Sequence, residues 1–111
     1  MGAPTVGSVV IVSYPYGDFR LFKKRPALVV ATAEHDCVVL AQITSKSQAS
    51  NRAIQIFDED FASGGLQTVS YIRVDKLVTI ERASILHIAG KLNSQKTTEI
   101  SNSLQQLFKH P

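Results

Sequence analysis

The sequence predicts a mainly β domain: a small curled sheet or partly open barrel, closed by one C-terminal helix. Three observations predict it. Short apolar runs rich in β-branched residues, separated by turn residues, occupy positions 9 to 80. Near the C-terminus the apolar spacing switches to a helical period. The chain has 111 residues and is 44% hydrophobic, which suits a single domain over 1–111 with its core in about residues 7–108.

The elements follow in order. Val9–Tyr14 (VVIVSY) is too short for a helix and too β-branched to favour one, so it reads as a strand ended by Pro15. Gly17–Asp18 opens a loop expected to run through Arg25. Ala27–Thr32 is the second strand, and Pro26 pushes Arg25 toward extended backbone. Glu34-His35-Asp36 is a polar turn before a third strand, Cys37–Thr44. Ser45–Arg52 has no periodicity and reads as a loop. Ala53–Phe57 alternates as a strand; Asp58-Glu59-Asp60 and Gly64-Gly65 mark the next connection.

Thr68–Asp75 alternates again, with Val69, Tyr71, Arg73 and Asp75 on one face and Ser70, Ile72 and Val74 on the other. Lys76–Ile80 continues or re-enters the sheet, Glu81–Leu86 has the composition of one helical turn, and a last strand is expected near His87–Leu92. Ile100, Leu104, Leu107 and Phe108 form one stripe of a helix, with Asn93 or Ser94 as its N-cap.

Several function classes drop out. No apolar run approaches the roughly 20 residues of a membrane span, and no secretion signal is recognisable, so a cytoplasmic protein is expected. The single cysteine, Cys37, makes neither an internal disulfide nor a zinc site and reads as a small strand residue. His35, His87 and His110 are scattered, no glycine-rich phosphate loop is present, and no pair of ligands has metal spacing. No cofactor is expected.

The charge is more informative. The net charge of +3 arises within residues 1–30, where Arg20, Lys23, Lys24 and Arg25 oppose Asp18 alone. A local basic cluster on a neutral body suits a partner of concentrated negative charge, nucleic acid or an acidic peptide. The residues able to do chemistry are Arg25 before a strand, Thr44 and Ser45 at the end of another, and Arg73 with Asp75 on a third. Singly each has an ordinary structural explanation. Together they supply the guanidinium, hydroxyl and carboxylate that phosphodiester chemistry uses.

GSVVIVSYPYGDFRLFKKRPALVV, then VVLAQITS, then SYIRVDKLVTI, resembles the MazF/PemK family of toxin ribonucleases over roughly residues 7–108. The resemblance implies an SH3-like barrel that forms a homodimer. It implies metal-independent cleavage of single-stranded RNA, leaving a 2′,3′-cyclic phosphate and a 5′-hydroxyl, and inhibition by a cognate antitoxin whose flexible segment covers the RNA groove. Arg25 matches the family's Arg-Pro arginine, Thr44 its catalytic threonine with Ser45 beside it, and Arg73 and Asp75 an acid/base pair of one branch. That branch carries an assisting histidine in a loop where residues 17–24 hold none, so Arg20, Lys23 or Lys24 is expected to supply the charge.

Arg73 suits phosphate binding better than proton donation, because a guanidinium does not deprotonate near neutrality. Phe19, Phe22, Tyr16 and Tyr71 are the aromatics available to stack on unpaired bases, with core packing the first expectation for Tyr71. A non-catalytic binding module, or a relative of the gyrase-poisoning toxins that share such a barrel, is the alternative reading. The Arg25/Thr44 pair favours the enzyme, since a pure binder needs neither.

Overall fold

The computed structural model describes residues 4–16, 21–46 and 52–109. Seven strands form one antiparallel sheet: β1 (Ser8–Tyr16), β2 (Leu21–Ala33), β3 (Cys37–Thr44), β4 (Ala53–Ile56), β5 (Phe61–Gly64), β6 (Ser70–Glu81) and β7 (Ile85–Leu92). Their spatial order is β4-β6-β3-β2-β1-β7-β5, so the sheet curls into an open barrel whose two edges are the four-residue strands β4 and β5. One helix, α1 (Ser94–Leu107), follows. The mainly β barrel with a C-terminal helix is as expected.

Each face of the curled sheet has its own apolar cluster. Val9, Leu28, Ala41, Ile43, Ile56, Ile72, Val74 and Leu92 pack with Ile100 of α1. Val10, Val12, Ala27, Val29, Val38 and Leu40 form the second cluster, rimmed by Ile80 and Ile85. Of the helical stripe, Ile100 is buried and Leu104 packs on the first cluster, whereas Phe108 follows the last turn and is 65% exposed.

Asn93 caps the helix: its Oδ1 accepts the Lys96 N–H at 2.8 Å, and its own N–H donates to the Asp60 carbonyl at 2.7 Å. Below it, the buried Lys96 ammonium meets Asp60 at 3.5 Å and Glu99 at 3.2 Å. The helix start is thereby tied to the Asp58–Asp60 3-10 turn.

Four expectations are corrected. The loop through Arg25 is instead strand from Leu21 onward, and Pro15 lies inside β1, paired with Phe22. Proline is tolerated there because the β1–β7 ladder has already ended at Val12, leaving β1 with a neighbour on one side only among the described residues. Lys76–Ile80, expected to continue or re-enter the sheet, does continue the strand begun at Ser70. Gly64 lies in β5 rather than in a connection, at φ +65 and so close to β7 that a Cβ would fall 2.2 Å from the Ala89 carbonyl oxygen. The helical turn after Glu81 is a 3-10 turn over Arg82–Ser84.

Candidate active site

Directly opposed residues in an antiparallel ladder share a face. Thr44 opposes Tyr71, and Gln42 opposes Arg73. On the other side of β6, Ala53 opposes Arg73 and Gln55 opposes Tyr71. On β2, Ala27 opposes Gln42, and Val12 of β1 opposes Arg25. One face of four adjacent strands therefore carries Gln55, Tyr71, Thr44, Arg73, Gln42 and Arg25. Ile43, Ile72 and Ile54 point the other way, to the core under α1.

The β2–β3 ladder ends at Ala27–Gln42. Pro26, which has no N–H to offer a further rung, lies one residue before that end. Continuing the same register two residues along each strand sets Arg25 against Thr44. Arg25 is half-buried and has no hydrogen-bond or ion-pair partner among the described residues. Thr44, also half-buried, accepts the Lys46 N–H on Oγ1 at 3.1 Å. That bond uses an acceptor site of the hydroxyl and leaves its proton available to donate.

A bulge separates this polar region from the rest of β6. Gln42 pairs with Arg73 but Ala41 pairs with Leu77, so Val74, Asp75 and Lys76 bow away from β3. The bulge reverses the alternation: residues 71, 73 and 75 share the site face, but beyond it Val78 and Ile80 do, opposite Leu40 and Val38. Bulges re-aim side chains in this way beside functional sites.

Within the bulge, Arg73 donates to Asp75 through Nε at 3.2 Å and Nη2 at 2.8 Å. Both side chains are about a quarter exposed, at 23% and 28%. The hydrogen bonds to Asp75 raise the Arg73 pKa above its ordinary value; desolvation opposes them and the carboxylate's charge adds to them. Arg73 is thus a fixed cation, as its proposed phosphate-binding role requires.

The remaining expected site residues divide. Lys23 alternates with Arg25 onto the site face, while Phe22 and Lys24 alternate to the opposite side of the β1–β2 ribbon, Phe22 being 66% exposed. Ser45 is exposed just past the end of β3. Tyr71 is half-buried among the polar residues instead of joining Ile72 in the core. Phe19, Arg20 and the side chain of Tyr16 lie outside the described residues. Gln42 and Gln55 were not anticipated; their signal was the two-residue step from Thr44 to Gln42, visible only once the face of Thr44 is known. Among the described residues no three His, Cys, Asp or Glu side chains gather as a metal site.

A model of the family described as "PemK-like, MazF-like toxin of type II toxin-antitoxin system" matches residues 5–108. The chain belongs to this family of toxins. No curated protein matches it in sequence.

Solved structures of MazF-like toxins share its fold. An endoribonuclease bound to its cognate antitoxin, from Mycobacterial species, is 18% identical with a TM-score of 0.73, over 100% of this chain and 98% of that one. MazF in a MazE–MazF complex from Deinococcus radiodurans is 16% identical with a TM-score of 0.75, over 96% of each chain. The Mycobacterium tuberculosis toxin MazF-mt6 is 19% identical with a TM-score of 0.69, over 91% of this chain and 95% of that one. At such identities the likeness is one of fold, and activity has to be argued from the site. Among the described residues no helix is long and apolar enough to cross a membrane.

Proposed function

We propose that this toxin is an endoribonuclease that cuts single-stranded RNA without a metal, through attack of the 2′-hydroxyl on the adjacent phosphate. The observation that carries this reading is Arg25: a half-buried guanidinium with no partner among the described residues, two residues beyond the Ala27–Gln42 pair as Thr44 is on β3, on the face that also holds Arg73 and Asp75. A guanidinium held short of an acceptor is a ready site for an anion.

In RNA the nucleophile is tethered to the bond it breaks, so the entropy of attack is largely met in advance. The 2′-oxygen bonds to phosphorus and loses its proton to a base. The bond from phosphorus to the 5′-oxygen then breaks, and that oxygen takes up a proton, giving a 2′,3′-cyclic phosphate and a 5′-hydroxyl. Arg25 and Arg73 stabilise the charge that accumulates on the phosphoryl oxygens, a contribution of roughly 3–4 kcal/mol for each well-placed donor. Thr44 donates its free proton to the phosphate or the 2′-oxygen. Asp75, paired with Arg73, is the carboxylate that this reading assigns to accept the 2′-proton. Carboxylates are weak bases at neutral pH, so charge stabilisation carries most of the acceleration.

The chain works as a homodimer, and its inhibitor is an antitoxin with an acidic segment that lies against the basic 20–25 stretch and blocks RNA. Support for the dimer comes from the apolar end of the site face, where Val78 and Ile88 are each 37% exposed beside the second apolar cluster. The activity is tested by incubating the protein with a mixed-sequence RNA pool in EDTA and mapping the ends. Cyclic-phosphate ends that vanish with Arg25→Ala support the reading. Loss of cutting in EDTA overturns the metal-free mechanism, and RNA binding without cutting favours a binding module.

A further inference from the structure

We propose that Gln42 touches the RNA and selects a base flanking the cleaved phosphodiester. The inference rests on the ribonuclease reading and adds a residue to it. Gln42 occupies a singular place in the sheet: it opposes Ala27 on one side, in the last pair of the β2–β3 ladder, and Arg73 of the Arg73–Asp75 pair on the other. It is also the residue at which the β3–β6 register breaks, beside the Val74–Lys76 bulge. Its neighbour Ala27 is small and fully buried, so Gln42 is the nearer of the two to solvent.

The carboxamide is half-buried and has no hydrogen-bond partner among the described residues. Partly desolvated amides ordinarily find partners, because leaving them unmet is costly. An incoming ligand is a natural source of one. A neutral carboxamide adds little to stabilising a phosphorane, but its adjacent donor and acceptor match the edge of a nucleobase, adenine being the usual partner of glutamine. Thr44 and Gln42 point the same way two residues apart on one strand, so a group that meets Gln42 belongs to a nucleotide next to the one gripped by Arg25 and Thr44. Gln42 is thus a specificity residue.

The test compares wild type, Gln42→Ala and the near-isosteric Gln42→Glu on a randomised RNA pool, with ends sequenced and thermal melting checked for each. The expected result is that wild type prefers one base at a fixed position beside the cut. Gln42→Ala flattens that preference by about tenfold, with KM rising at preferred sites and kcat changing little; Gln42→Glu redirects or removes the preference. A folded Gln42→Ala that cuts with the wild-type base profile and KM overturns the role of Gln42 while leaving the nuclease intact. Failure of wild type to cut overturns both readings together. Mere packing over Ala27 would alter melting but not the base profile.

Discussion

The guanidinium of Arg73 holds the carboxylate of Asp75, two residues further along the same strand, through Nε at 3.2 Å and Nη2 at 2.8 Å. The pair sits at the register break, where Val74, Asp75 and Lys76 bow away from β3. The carboxylate therefore aims the guanidinium. Asp75→Asn keeps the shape but weakens the grip, and RNA cleavage is expected to fall about 100-fold with a raised KM. Arg73→Lys retains charge without the fork and is expected to lose about as much. Because Asp75 raises the Arg73 pKa, Arg73 keeps its proton as pH rises through the neutral range and loses it only at strongly alkaline pH. Any limb in a neutral pH–rate profile should then persist in Arg73→Lys, and its disappearance there would show that Arg73 itself titrates.

Arg25→Ala is expected to lower kcat by about 100- to 1,000-fold, the share of one preorganised donor at a developing charge. The melting temperature should hardly move, since Arg25 has no partner among the described residues to lose. Single-turnover cleavage of a labelled oligonucleotide, alongside calorimetry, separates the two effects.

Asp60 and Lys96 fasten the helix start to the 3-10 turn before β5. Asp60→Ala leaves the buried Lys96 ammonium with only the more exposed Glu99 and also removes the acceptor for the Phe57 N–H, bonded at 2.8 Å. A loss of about 2 kcal/mol is expected in urea denaturation. Glu99→Ala, at a more exposed partner of the same lysine, should cost about 0.5 kcal/mol or less.

The antitoxin complex is expected to weaken with salt, because Lys23 and Arg25 on the site face of the β1–β2 ribbon, with Lys24 on its other side, meet an acidic segment. Affinity measured over a series of sodium chloride concentrations checks this. A salt-insensitive complex would mean that apolar contacts dominate.

Replacing Val78 and Ile88 together by Glu is expected to convert a dimer to a monomer in light scattering, by placing charge on the apolar end of the site face. A wild-type monomer at micromolar concentration would remove the dimer from the proposal.

Much of this was legible along the chain. The β-branched runs located six of the seven strands, and the third was read with its observed ends, Cys37–Thr44, because a polar turn and a polar loop bound it. The alternation of residues 70–75 assigned both faces of β6 correctly, since burial on one side imposes a period of two. β5 was missed: four residues ending in glycine, at a sheet edge, carry almost no periodic signal.

Local chemistry thus settled strand content, the terminal helix, the basic stretch and the residue types suited to a phosphodiester, because propensity, turn residues and charge act over a few positions. Pairing settled the rest. Which strands adjoin, that Arg25 and Thr44 fall on one face, that β6 bows out at Asp75 and that Gln42 opposes Arg73 all depend on register and bulges. Those are set by packing among residues far apart in the chain, and one extra residue in a strand turns every later side chain to the opposite face.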